Sequence, residues 1–446
     1  MRHKHHRTAW RVARAVLIAG MALHVAGVCW AVEFSAGAAR AEITPDVRMT
    51  NWITHKAYGE VLDPVYARAL VLGQGTNRVV IVSWELLYPM EGAVAKVRQE
   101  IARKTGIATS DILVSATHNH SAPWSPVLGD PLTKPEQKVL HSFLNDPLYP
   151  AWADKVIRAT VDAVKKADAA RQPAVLAIGR GYIGDVIFNR RPIKPDGTVQ
   201  GMATPADPYA LPGGLRFGVV DPTLTVLVLR NPQQQTIATV FNMPCHAVAV
   251  YPNYDGISAD WPGPVSAALQ QELGGEAIFL QGCAGDVVPV RRGVPARDTI
   301  AKVVTERVLA ATKTAQLLPL QRPFQAGQER VKAPVTEMVR QDTGRDFFTP
   351  EVQVLSCGPL ALVGLPGEPL IRLAMTIQER SPFPHTLVIG YANGYGVQYV
   401  GMPGDKARGG YEMGARGLGT DECGQLLMDA AVRLLEAQYS AATRLP

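Results

Sequence analysis

The stretch SATHNHSAP, residues 115–123, places His118 and His120 two positions apart at the end of an apolar run. Neutral imidazoles bind zinc and carry protons near neutral pH. Residues two apart on a strand share a face, so both rings can address one point beyond the strand ILVSAT. That suits a metal ion, or one ligand with an acid–base neighbour. The alternative is two polar side chains satisfied at a strand end. Outside the first 31 residues there are six histidines, at 55, 118, 120, 141, 246 and 385. His246 adds to the metal reading, because it follows the apolar run ending FNMPC and so sits where a strand meets a loop. A carboxylate ligand could come from Glu368 in GLPGEPL, between a strand and a helix start. Its other reading is an acid that favours the first turn of a helix through the dipole.

These residues need strands to carry them. RVVIVSWELL (78–87) and DILVSAT (111–117) read as strands, separated by the helix EGAVAKVRQEIARKTG (91–106) with Gly106 placed to end it. TLTVLVLRN and TIATVFNMP read as two strands joined by the polar turn at 231–235. DWPGPVSAALQQELGG (260–275) is a helix with proline in its first turn, and EAIFLQG is the next strand. ARDTIAKVVTERVLAATKTA is helical, EVQVLSC and LALVGLP form a hairpin, 368–381 is helical, HTLVIGYAN is a strand, and CGQLLMDAAVRLLEAQYS closes the chain as a helix. The expected fold class is α/β, a mixed β-sheet core with flanking helices and long loops in a single large catalytic domain. The longest connection spans roughly 181–220. No internal repeat is visible in the sequence.

The 446 residues are 47% apolar and 19% charged, an ordinary globular balance. Residues 1–31 read as a signal peptide, a basic segment followed by an apolar stretch ending at Ala31. The expected domain is then 32–446, in a secreted or periplasmic protein. That leader holds five Lys/Arg and no acid, so its removal lowers the formal charge from +6 to +1. Nothing then favours nucleic acid as a partner. The remaining cysteines, 245, 283, 357 and 423, form no CxxC pair, and either disulfides or buried thiols fit.

THNHSAP, FNMPCHAVAV, ISADWPG, FLQGCAGDVVP, GLPGEP and GYANGY stand in an order and spacing that resembles the neutral/alkaline non-lysosomal ceramidase family. FSAGAARAEITP and VDPTLTVLVL resemble that family's catalytic domain too, so the likeness runs from about residue 34 to about 440. The resemblance implies a zinc amidase, with one Zn2+, that cuts N-acylsphingosine into sphingosine and a fatty acid. It implies metal ligation by His118, His246, Glu368 and a tyrosine. Tyr395, which follows Asn393–Gly394, is chosen for that place, with Tyr399 as rival because the tyrosine spacing is one residue longer than usual. His120 and Arg190 of IFNRRP would act on the substrate, with Arg191 as a substitute for Arg190 and Tyr399 as a further substrate contact. Asp260 and Asp286 would orient a zinc-bound histidine or serve the structure. A zinc-bound water of pKa about 7 would supply the nucleophile.

The sequence departs from the family at Gly282, where a serine is common, so a serine nucleophile is not expected; Cys283 beside it reads better as a buried thiol. No counterpart of the family's C-terminal immunoglobulin-like domain is read in the chain. The loop around Arg190, Arg191, Lys194 and Asp196 is polar. A smaller N-acyl amide, a lipopeptide or an ester/lactone therefore stands as an alternative substrate, and a non-catalytic exported binding protein as a second alternative. The partner expected is a small-molecule or lipid substrate, with room for contact with a membrane surface.

Overall fold

The computed structural model describes residues 34–443 apart from 131, 201–209, 212, 321–323 and 415. The leader segment expected over 1–31 lies outside the described residues. Twelve main strands and two short edge strands make three sheets. The first holds β1 (Phe34–Glu42), β2 (Tyr66–Gln74), β3 (Asn77–Trp84) and β4 (Ile112–Ala116), in the order β4-β3-β2-β1, with Gln172–Pro173 at its edge. The second holds β5 (Val175–Tyr182), β6 (Thr223–Arg230), β7 (Thr236–Met243) and β8 (Glu276–Gln281), in the order β8-β7-β6-β5, edged by Gln316–Leu317. The third holds β9 (Gln325–Arg330), β10 (Glu351–Cys357), β11 (Leu360–Gly364) and β12 (His385–Ile389), in sequential order. The main helices are α1 (Glu91–Thr105), α2 (Lys134–Leu144), α3 (Tyr149–Ala169), α4 (Pro262–Leu273), α5 (Val294–Lys313), α6 (Ile371–Arg380) and α7 (Cys423–Thr443).

Each sheet is built the same way. Three strands pair antiparallel in sequence order, then a helix (α1, α4 or α6) crosses to a fourth strand that runs parallel to the third. A long helix (α3, α5 or α7) follows and packs back on the sheet. The repetition is one of topology. It is absent from the amino-acid pattern because packing asks only for apolar side chains at matching places, and many sequences supply them. Leu70, Leu72, Ile81 and Leu113 of the first sheet meet Ile178, Leu227, Val240 and Leu280 of the second and Leu355, Leu362, Leu387 and Ile389 of the third in one apolar cluster. The three sheets thus bury one face against each other.

The sequence readings locate the elements well. Gly106 ends α1 in the left-handed conformation, with φ 74° and its N–H on the Ala102 carbonyl. The β2–β3 hairpin, not read from sequence, turns through Gly75 at φ 60°. The helix expected over 368–381 begins only at Ile371, because Glu368 and Pro369 instead pair in parallel with Tyr399 and Val400. β1, β2, β5, β9, α2 and α3 were not among the elements read from sequence. The connection expected to be longest carries a short strand, Ile187–Asn189, paired with Val287–Pro289. Among the described residues no helix is long and apolar enough to cross a membrane.

Buried polar ties cross between sheets. Arg98 on α1 donates to the Ile112 carbonyl (2.8 Å), to Glu351 (2.8 Å) and to Gln353 (3.1 Å) on β10. Breaking a buried ion pair from one side strands a charge, at a cost of about 3–5 kcal/mol. Arg98→Ala is expected to lose stability of that order in urea denaturation; a loss under about 1 kcal/mol would show that solvent replaces the tie.

Candidate metal centre

All six strands of the three parallel pairs point their carboxyl ends at one place. Within four residues of those ends come Tyr88 after β3, His118 and His120 after β4, His246 after β7, Ala284 after β8, Glu368 after β11 and Tyr391 after β12. Ligand sites in α/β sheets favour this location because loops there are free to vary over a rigid base. The backbone is unusual in these loops. Among the described residues seven non-glycine residues have positive φ, and five of them are His118, Asp260, Tyr391, Asn393 and Gln398. Left-handed backbone at such residues costs about 1–2 kcal/mol each and persists where the surroundings enforce it.

His118 and His120 do come together, although not by strand alternation. β4 ends at Ala116 and His118 has φ 60°, so a left-handed turn sets the two rings nearly perpendicular, in a T-shaped contact. Their Nε2 atoms lie 3.1 Å apart. Asn119 between them donates to the Ser258 carbonyl and forms a parallel bridge with Ala247, which registers the pair against His246. Glu368 Oε2 lies 3.1 Å from His118 Nε2 and 3.3 Å from His246 Nε2. The ligand atoms of the three histidines fall within 4.8 Å of one another.

The hydrogen bonds on the far side of each ring decide what these atoms are. His118 Nδ1 faces the Leu87 carbonyl at 3.1 Å, and His246 Nδ1 faces the Ala284 and Val287 carbonyls at 2.5 and 3.2 Å. A carbonyl only accepts, so each Nδ1 carries a proton, and in the neutral tautomer this fixes, Nε2 is the bare nitrogen. Burial pushes His246 down to about 3, with the Arg190 charge adding to the effect. Burial likewise holds His120 well below the usual histidine range. His246 Nε2 and Glu368 Oε2 are buried with no hydrogen-bond partner among the described residues. Lone pairs with no donor between them, aimed at one point, are what a bound cation requires.

The remaining expected residues surround this point. Arg190 is buried; it donates to Glu412 (2.8 Å), the Gly285 carbonyl (2.8 Å) and the Tyr399 hydroxyl (3.0 Å). Arg191 shares Glu412 at 2.9 Å. Tyr399 sits opposite Glu368 in the parallel bridge. The Tyr395 hydroxyl is hydrogen-bonded to Glu136, the residue that closes the capping box of α2. Asp260 accepts from the backbone of Ala249, Val250 and Trp261, and Asp286 accepts from Ile371 and Asn189. Both aspartates fix loops, while backbone carbonyls, not aspartates, orient the histidines. Cys283 is buried and its thiol is pushed far up by burial, which removes it as a nucleophile. It lines a separate cavity of about 350 Å³, with Arg180, Thr225 and Asn242, that none of the site groups enters. The four cysteines among the described residues, 245, 283, 357 and 423, are buried free thiols.

Sequence reasoning missed Tyr88, Glu412, Tyr391 and the aromatic wall. Tyr391 stacks on His118 at 4.2 Å, and Trp52 and Tyr251 flank His120 at 6.0 and 5.1 Å. No spacing rule marks them, since they reach the site from separate loops. Glu412 pairs with two buried guanidiniums, so Glu412→Ala is expected to cost about 3–5 kcal/mol in chemical denaturation, with Arg190→Met/Glu412→Leu recovering part of it.

The comparisons agree with this architecture. Residues 34–342, more than half of the chain, match the family described as neutral/alkaline non-lysosomal ceramidase, N-terminal. The neutral ceramidase of Pseudomonas aeruginosa superposes with a TM-score of 0.73 at 18% identity, covering 91% of this chain and 75% of that one. A ceramidase complexed with C2 gives 0.71 at 18% identity, covering 91% and 76%. At that identity the likeness to solved structures is one of fold. No curated protein matches the sequence. The chain belongs to the neutral/alkaline non-lysosomal ceramidase family and is a ceramidase-type amide hydrolase.

Proposed function

We propose that the protein is an exported zinc-dependent hydrolase of N-acylsphingosines, releasing sphingosine and a fatty acid. The observation that carries the zinc reading is the meeting of three imidazole nitrogens, two of them on rings whose Nδ1 faces a main-chain carbonyl, with one carboxylate oxygen at a buried point. His118, His246 and Glu368 would hold the ion, since Glu368 Oε2 contacts those two histidines. Nitrogen and carboxylate donors of this kind suit zinc, which when bound supplies a Lewis acid and lowers the pKa of water at the site.

The chain's own groups do the rest. His120 is neutral and partly exposed, so its Nε2 can take a proton from the attacking water and return it to the leaving amine. Water adds to the acyl carbon, the C–N bond breaks, and the products are a carboxylate and an amine. Tyr399 accepts a hydrogen bond from Arg190, which leaves its own proton to donate to the carbonyl oxygen as charge develops. Tyr395 has its hydroxyl engaged by Glu136, so of the two rivals Tyr399 is the better placed for this role. Glu412 and the Gly285 carbonyl hold the Arg190 guanidinium against the Tyr399 ring at 5.7 Å. The leader-like sequence of residues 1–31 supports export, and family membership together with a ceramidase solved in complex with C2 supports the substrate class.

The test combines metal content with turnover of fluorogenic N-acylsphingosines of graded acyl length. About one zinc per chain and cleavage by wild type, with both lost in His118→Ala, is the expected result. Zinc with cleavage only of short N-acyl amines would replace ceramide as the substrate, and absence of zinc in protein purified without chelator would overturn the centre. Tyr399→Phe is expected to lower kcat about 10²–10³-fold, the size of losing one oxyanion donor, and Tyr395→Phe less than tenfold. The reverse ranking would return the role to Tyr395.

A further inference from the structure

We propose that Tyr88 is a positioning residue that limits Glu368 to one oxygen at the metal. This rests on the zinc reading above. The two oxygens of Glu368 have different surroundings. Oε2 faces His118 and His246, whereas Oε1 accepts the Tyr88 hydroxyl. All of these groups are buried. A carboxylate can meet a cation through one oxygen or both. A hydrogen bond on one oxygen directs that lone pair away from the metal and fixes the rotation of the carboxylate plane.

Tyr88 is itself held for this purpose. It stands four residues past the end of β3, its N–H donates to the Trp124 carbonyl at 3.2 Å, and its own carbonyl accepts from Ser125. Its ring is wedged edge-on against Tyr395 at 4.7 Å, with Trp124 at 5.0 Å and His118 at 5.1 Å. A side chain so confined keeps its hydroxyl in place without drawing on the metal's binding energy. The consequence is chemical. With Glu368 contributing one oxygen, a coordination position stays open for water and the substrate carbonyl, which a hydrolytic zinc site needs. Tyr88 touches no reacting atom, and acts through Glu368.

Tyr88→Phe removes the hydrogen bond and keeps the ring packing. The readout is the visible spectrum of the Co(II)-substituted protein, with zinc affinity from competition against a chromophoric chelator. The expected result is a weaker, shifted Co(II) absorption, as a second carboxylate oxygen raises the coordination number. Zinc affinity should change about 10–100-fold, with kcat falling more than KM changes. Circular dichroism checks that the variant is folded. A Co(II) spectrum and zinc affinity equal to wild type in folded Tyr88→Phe overturn the proposal. So does a crystal structure of the zinc-loaded wild type with both Glu368 oxygens on the metal, a measurement that needs no variant. Failure of the wild type to take up either metal overturns the zinc reading itself, and is distinguished from failure of the Tyr88 role by the wild-type spectrum alone.

Discussion

The Nε2 atoms of His118 and His246 and the Oε2 of Glu368 are acceptors that cannot be left facing each other in a dry interior. Unpaired, each buried polar atom costs on the order of 1–3 kcal/mol, and the Glu368 carboxylate more. The fold nevertheless brings them together and takes trouble to do so. Main-chain carbonyls of Leu87, Ala284 and Val287 lock the histidine tautomers, and Tyr88 occupies the other oxygen of Glu368. Such expense is characteristic of a functional site, where stability is traded for a poised arrangement.

The three-sheet frame explains how the expense is borne. The parallel strand pairs are buried toward their carboxyl ends, so the six ends that carry the site rest on backbone hydrogen bonds shielded from water. Short cross-links stitch the ends to one another: Asn119 to Ala247, Ser115 to Ala392, and Glu368 to Tyr399. Left-handed residues at His118 and Tyr391 are affordable on such a base and turn the rings inward.

Charge is managed by the same logic around the centre. Arg190 and Arg191 are buried beside the imidazoles of the site, and Glu412, itself buried, pairs with both. Arg190 then serves Tyr399 while depressing protonation of His246. One guanidinium thus fixes a hydroxyl and helps to keep a ligand nitrogen bare, in a low-dielectric pocket where both effects are strong.

Much of this was legible in the chain. Apolar runs and their breakers located eight of the twelve main strands, and the HNH spacing, the FNMPCH junction and the GEP turn singled out His118, His120, His246 and Glu368. Those signals are local, because strand, turn and ligand type are properties of a few adjacent residues. What the sequence alone determined is therefore the α/β character, the family motifs and the ligand types. Only the tertiary structure decided the threefold repetition of the sheets, the carbonyls that select the tautomers, the binding of Tyr395 to Glu136 and of Tyr399 to Arg190, and the place of Tyr88 on Glu368. These contacts join residues some 200 or more positions apart in the sequence in most cases. Pairing at that separation is set by how the three sheets close on each other, which no local pattern encodes.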